Sequence, residues 1–365
     1  MTEHSAYLQR LLEEISQEKR EFYLMEVCGT HTMAIAQSGI RELLPPNIHL
    51  LSGPGCPVCV TAQADIDAVI HLVRNYELTM VSFGDMMRVP GSTSSLQEER
   101  GRGADLRIAY SPLDALRLAR EMPERQIVFL GIGFETTAPT IAAVMEQARA
   151  EGLKNFSLFS LHKTVPPALE VLFDDPAVRV DGLICPGHVA AVTGLAPFDL
   201  LARERAKACA ITGFETQDIL EGILLLLRQI QSGRYQAENQ YRRVVREQGN
   251  PVAINLMKSV FTEQSSLWRG LGPIPASGLE LRPELSAWDA KKRFDIPDFP
   301  DQPIKGCSCG EILCGKMTPP ECPLFGQACT PLQPVGPCMV SHEGACAAWY
   351  RFRRWSQPPG NSSAL

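Results

Sequence analysis

Cysteine is the residue type through which this sequence can do most chemistry. Twelve of its 365 residues are cysteines, in three groups: Cys28, Cys56 and Cys59; Cys185 and Cys209; and seven from Cys307 to Cys346. The first lies in Cys28-Gly29-Thr30-His31, where an apolar run gives way to a helical pattern. A thiol at a helix N-terminus has its thiolate favoured by unpaired amides and the helix dipole. With His31 close by, such a thiolate suits a soft or borderline transition metal, or a Cys–His nucleophilic pair. A buried thiol beside a capping threonine is the plain structural alternative. The second motif, Gly53-Pro54-Gly55-Cys56-Pro57-Val58-Cys59, holds the chain's only C-x-x-C. Between a strand and a helix this spacing is the setting of a redox dithiol. Half of a mixed metal site and inert thiols are the alternatives. A structural zinc site would need a second matching pair.

The third constellation is Cys322, Cys329, Cys338 and Cys346, in a stretch rich in Gly and Pro. Four thiolates in an irregular fold meet the needs of a [4Fe–4S] cluster. A four-thiolate zinc site competes. Cys307, Cys309 and Cys314 form a further C-x-C-x4-C, so spacing alone leaves the ligand set open. Cys185 and Cys209 sit in apolar runs and read as small buried hydrophobes. His188, in Pro186-Gly187-His188, and His162 with Lys163 follow apolar strands, where a lone histidine is more often structural. Gly131-x-Gly133 lacks the third glycine of a dinucleotide fingerprint, and no Walker A loop is present.

The elements that must position these groups follow from hydrophobic patterning. Strand-like runs at 22–27, 48–52, 78–83, 106–110, 126–132, 155–161, 180–184 and 208–212 alternate with helical patterns. That order predicts parallel sheets covered by helices. The number of elements favours two α/β lobes, 22–124 and 125–233. Gly133-Phe134-Glu135-Thr136 recurs as Gly213-Phe214-Glu215-Thr216, each after a strand and before a helix. Residues 234–262 read as a long polar helix broken near Gly249-Asn250-Pro251. Residues 306–347 hold too little apolar content to fold by burial alone, so a bound metal centre is their natural organiser. The fold class predicted is α/β: two lobes with mainly parallel sheets, plus a Cys-rich C-terminal Fe–S region packed with helices. That third domain takes 1–21 plus 234–355, and 356–365 reads as a tail.

Composition narrows the function. Charged residues make up 21% of the chain and the net charge is −6, which argues against a broad basic face for nucleic acid. The longest nearly uncharged stretch, 182–202, contains Pro186, Pro197 and Asp199 and cannot span a membrane as a helix. The first 20 residues lack the apolar segment of a signal peptide, so the expected location is the cytoplasm.

Taken together, CGTH, GPGCPVC, GFETTAP, PGHV and ECPLFGQACTPLQPVGPCMVSHEGAC resemble, in content and order, the HypD family of hydrogenase maturation factors. The resemblance implies a redox-active scaffold that works with the small chaperone HypC. It implies that iron is held and the Fe(CN)2CO group of [NiFe]-hydrogenase assembled on it. It makes Cys28 an iron ligand with His31 as neighbour, and Cys56 and Cys59 a redox dithiol. Cys322, Cys329, Cys338 and Cys346 become the ligands of a [4Fe–4S] cluster. Cyanide would come from a thiocyanate on HypE, and the product would pass to the hydrogenase large subunit. The resemblance leaves open whether such a scaffold counts as an enzyme. Two other readings stand beside it: a stand-alone Fe–S-dependent thiol–disulfide oxidoreductase, and a zinc-stabilised interaction protein.

Overall fold

A computed structural model describes residues 3–302 and 304–353. The tail expected at 356–365 lies outside the described residues. The alternation in the sequence is realised as strands β1 (Phe22–Glu26), β2 (Ile48–Ser52), β3 (Leu78–Ser82), β4 (Asp105–Ile108), β5 (Gln126–Gly133), β6 (Phe156–Lys163), β7 (Gly182–Pro186) and β8 (Ala208–Thr212). Helices run between them. Three further strands follow: β9 (Ala237–Asn239), β10 (Phe261–Trp268) and β11 (Gly272–Leu281).

Among the described residues these strands form two sheets. One is wholly parallel, in the order β2-β1-β7-β8-β9. The other has the order β10-β11-β6-β5-β3-β4, parallel from β3 to β6 and closed on one side by an antiparallel hairpin. Each sheet therefore takes strands from both expected lobes. The chain leaves the first sheet after β2, builds β3 to β6 in the second, and returns at β7. The contiguous division at 124/125 falls within the six-stranded sheet, between β4 and β5. The sequence patterns carry strand faces but not strand partners, which are non-local.

Side-chain alternation places the cores. Along β1, Leu24 faces the helices while Met25 faces inward. Along β5, Ile127 and Phe129 face outward, and Val128, Leu130 and Ile132 face inward. The inward faces of both sheets join one apolar core, which also takes in Cys56, Cys59, Cys309, Cys322, Cys329, Cys338 and Cys346. Cys185 and Cys209 are wholly buried in that same core, as small hydrophobes would be.

The region after residue 233 departs from expectation. Of the expected helix 234–262, only Pro251–Val260 is helical, started by Asn250, whose side chain accepts from the Ala253 amide at 3.2 Å. Before it lie β9 and turns, and after it comes the β10–β11 hairpin. The region expected to be helical thus adds strands to both sheets. The terminal parts do pack as helices. Glu3–Ile15 lies on Thr216–Ser232, and Ala345–Arg353 lies on Gly29–Ser38.

Candidate functional site

Open α/β sheets place ligands at the carboxyl ends of their strands, where the strand order reverses. In the five-stranded sheet that reversal lies between β1 and β7. Cys28 follows β1 there, and Gly187-His188 follows β7. Cys28 is the N-cap of helix Gly29–Ser38, with extended φ and ψ of −152° and 127°. Its sulfur lies near the amides of Thr30 and His31 but makes no capping hydrogen bond to the helix. Burial nevertheless pushes the Cys28 thiol up to about 12, with Glu343 adding to the rise and the two amides opposing it.

The glycines of the second motif hold this turn. Gly29 N–H donates to Gly55 O at 3.0 Å, and Gly53 N–H to Glu26 O at 2.8 Å. A Cβ on Gly55 would lie 2.2 Å from the Cys28 nitrogen, so only glycine lets the two loops touch. Beneath them Glu26 is fully buried. It accepts from Cys28 N–H at 3.3 Å and from Thr32 Oγ1 at 2.7 Å, and burial raises its carboxyl to about 7.

His31 is turned toward β8. Its Nε2 lies 2.9 Å from Gly213 O and 2.8 Å from Thr212 Oγ1, which assigns the proton to Nε2 facing the carbonyl. Nδ1 is buried and has no hydrogen-bond partner. Burial drops the imidazole pKa to about 4, so the ring is neutral. Phe214 lies between two histidines, with ring centroids 4.5 Å from His31 and 4.0 Å from His188.

Two residues at this edge carry no chemical role in the sequence: His188 reads as structural there, and Glu343 does not stand out. His188 is exposed beside the Cys28 turn, where a glycine-led helix start after a strand was its only signal. Glu343 comes from the C-terminal region. Its Oε1 accepts from Thr30 Oγ1 at 3.0 Å, and a Cβ on Gly29 would stand 2.6 Å from its Cβ. Nothing local marks it, because 313 residues separate it from Thr30.

The C-x-x-C follows β2. Cys56 caps the short helix Pro57–Val60, and its sulfur accepts from the Cys59 amide at 3.3 Å. Cys59 is fully buried and lies 4.0 Å from Pro337 O through its sulfur. Its side chain also meets that of the next residue, Cys338. Cys338 in turn meets Cys309, and Cys309 meets Cys307. Burial holds the Cys59 thiol well above its ordinary range. Cys346 is raised by burial first, then by the nearness of Cys329, Cys307 and Cys322.

Of the four expected cluster cysteines, Cys322 and Cys329 gather about Cys346 together with Cys307, while Cys338 meets Cys309 and Cys59 first. Cys322, Cys329 and Cys338 all lie within electrostatic reach of Cys346. All four are at least nine-tenths buried. Among the described residues no three His, Cys, Asp or Glu side chains converge as around a single ion. In a cubane each thiolate binds a different iron, so its ligands ring a volume rather than meet at a point. The donor set, four buried thiols in a Gly- and Pro-rich wrap, fits such a group.

Comparison with known proteins identifies the family. A family model described as "HypD: Hydrogenase formation hypA family" matches residues 4–353. The chain is 45% identical over 353 residues to the hydrogenase maturation factor HypD of Rhodobacter capsulatus, covering 95% of this chain and 94% of that one. The HypD of Rhizobium leguminosarum bv. viciae is 44% identical, covering 95% and 92%. That of Escherichia coli is 43% identical, covering 92% and 90%. With these matches spanning nearly its whole length, the chain belongs to the HypD family of hydrogenase maturation factors.

Proposed function

We propose that this protein holds iron at Cys28 and supports assembly of the Fe(CN)2CO group of [NiFe]-hydrogenase there, in complex with HypC. The observation that carries the reading is the meeting of three motifs far apart in sequence. The Cys28 turn is clasped by Gly55, and the Cys59 side chain abuts Cys338 of the C-terminal cysteines.

Iron is cargo in this reading. Cys28 supplies a thiolate, favoured by the amides of Thr30 and His31 and by the positive charge of the arriving metal. The unpartnered Nδ1 of His31 and the exposed His188 are the imidazole nitrogens at this edge. Release of cyanide from a thiocyanate on HypE requires two electrons. Cys56 and Cys59 supply them: R–S–CN and two thiols give R–SH, HCN and a Cys56–Cys59 disulfide. Cys322, Cys329, Cys338 and Cys346 would hold a [4Fe–4S] cluster, which when bound supplies single electrons beside Cys59. Burial of Cys56 and Cys59 keeps the dithiol from water and from bulky disulfides, which favours this role over a free-standing oxidoreductase. The completed group would pass to the hydrogenase large subunit, and the setting is the cytoplasm. No described helix is long and apolar enough to cross a membrane.

Infrared spectroscopy of the anaerobic complex with HypC tests the reading. Cys28→Ala is expected to abolish the bands of iron-bound CN and CO, while Cys56→Ser retains the brown colour but yields no active hydrogenase. Persistence of the bands without Cys28 would place the iron elsewhere. A colourless protein rich in zinc would return the C-terminal cysteines to a structural role.

A further inference from the structure

Arg269 carries a buried charge that the reading above does not use. It follows β10, in the turn of the hairpin, and is only 7% exposed. Its backbone N–H donates to Val60 O at 2.8 Å and its Nε to Thr61 O at 3.0 Å, so it is fixed to the end of the short helix that carries Cys59. Its Nη1 donates to Gln63 Oε1 at 3.4 Å. None of these partners is a carboxylate, and its buried Nη2 has no partner among the described residues. A guanidinium does not give up its proton in a protein, and a buried charge without a counter-charge is costly.

Arg269 also reaches the C-terminal cysteines. With Cys307 and Cys309 it lines a cavity of about 180 Å³, and it lies within electrostatic reach of Cys307. Close backbone packing fixes the approach. A Cβ on Gly270 would lie 2.5 Å from Gly310 Cα, and Cys314 Sγ lies 3.6 Å from Gly270 O. Cys307 in turn is one of the three cysteines gathered about Cys346. The acidic groups at the cavity are Glu311 and Asp301, and Asp301 Oδ1 is occupied by the amides of Gln63 and Ala64. Lys316, a second cation of this region near Cys314, is already paired with Asp175 at 2.7 Å.

We infer that Arg269 is the charge partner of a [4Fe–4S] cluster held among these cysteines, and that its unmatched guanidinium raises the cluster's reduction potential. The inference rests on the cluster reading. Four thiolates outweigh the charge of the iron–sulfur core, so the bound cluster is an anion and gains a further negative charge when it takes up an electron. In an apolar core that added charge is poorly solvated. A fixed cation beside it favours the reduced form, and burial keeps salt from screening the attraction. Arg269 binds no iron in this role. It sets how readily the cluster accepts an electron, and its bonds to Thr61 and Gln63 hold the guanidinium in place.

The test is an anaerobic redox titration of the full-length, cluster-loaded protein, followed by the electron paramagnetic resonance signal of the reduced cluster. Arg269→Gln is expected to lower the equilibrium constant for one-electron reduction about tenfold, the worth of one charge-assisted contact, which is a midpoint about 59 mV more negative. Arg269→Lys keeps the charge and should recover most of that shift. Lys316→Gln should leave the midpoint unchanged. The difference between wild type and Arg269→Gln should persist from low to high salt and be the same in chloride and in phosphate. An unchanged midpoint in Arg269→Gln, or an equal fall in Arg269→Lys, would overturn the inference. So would a difference that vanishes at high salt or depends on the anion, since the guanidinium would then serve a solute ion in the cavity. If Arg269→Gln cannot be loaded with iron and sulfide, a loaded Arg269→Lys with a midpoint near wild type supports the charge role, and failure of both to load makes Arg269 a strut and overturns it. A wild-type protein that holds zinc in place of a cluster would overturn the cluster reading as well.

Discussion

The carboxyl edges of the two sheets carry the same four residues and put them to different uses. On the five-stranded sheet, Gly213-Phe214-Glu215-Thr216 follows β8, Glu215 is exposed, and Phe214 carries His31 and His188 beside the Cys28 turn. On the six-stranded sheet, Gly133-Phe134-Glu135-Thr136 ends β5 and is roofed over. Phe134 stacks on Trp268 of β10 at 5.9 Å, and Glu135 is 3% exposed. Its Oε1 accepts from the Val165 amide at 3.0 Å, tying down the start of the helix that follows β6. His162 and Lys163, which end β6, are sealed beneath the same hairpin. Lys163 Nζ donates to Ser266 Oγ at 2.6 Å and Leu267 O at 2.7 Å, and burial lowers it to about 8. A turn motif therefore sets a local geometry only. Whether that geometry becomes a site or a strut depends on what a distant segment lays over it.

The sharpest way to break the open edge is Gly55→Ala. The new methyl would overlap the Cys28 backbone, which cannot swing aside as a side chain would. We expect a loss of about 3 kcal/mol in denaturant unfolding, at the upper end for overpacking, together with loss of iron binding. A fully stable, iron-loaded variant would show that the two loops are not locked together.

The paired carboxylates come next. Glu135→Ala strands the buried Val165 amide and should cost about 2 kcal/mol. Glu215→Ala removes only an exposed helix cap and should cost about 0.5 kcal/mol. Equal losses would mean that the two motifs are equivalent after all.

A further prediction is one of pH. Burial raises Glu135 from an ordinary 4.5 to about 7. Between those values the folded protein keeps a proton that the unfolded chain gives up. The stability this group contributes is therefore full below about pH 4.5 and is lost as pH rises through 7. Glu135→Gln lacks that slope. Its stability relative to wild type should climb from pH 5 to 7 and level off above, read from unfolding midpoints at each pH. A pH-independent difference would mean that the carboxyl is not desolvated.

What the sequence determined by itself was everything set within a few residues. All eight early strands stand where apolar runs place them, because period and turn chemistry are local properties. Cys28 and Cys56 do start helices, because a Gly- or Pro-led segment after a strand can do little else. The polar stretch 234–248 misled for the same reason: its composition suits an exposed helix, and only pairing with β8 makes part of it a strand. Tertiary structure alone decided which strands share a sheet and that a hairpin would roof one edge. It alone brought Glu343 against Gly29 and Cys338 against Cys59. Those outcomes depend on burying two inward faces in one core, a condition no window of sequence contains.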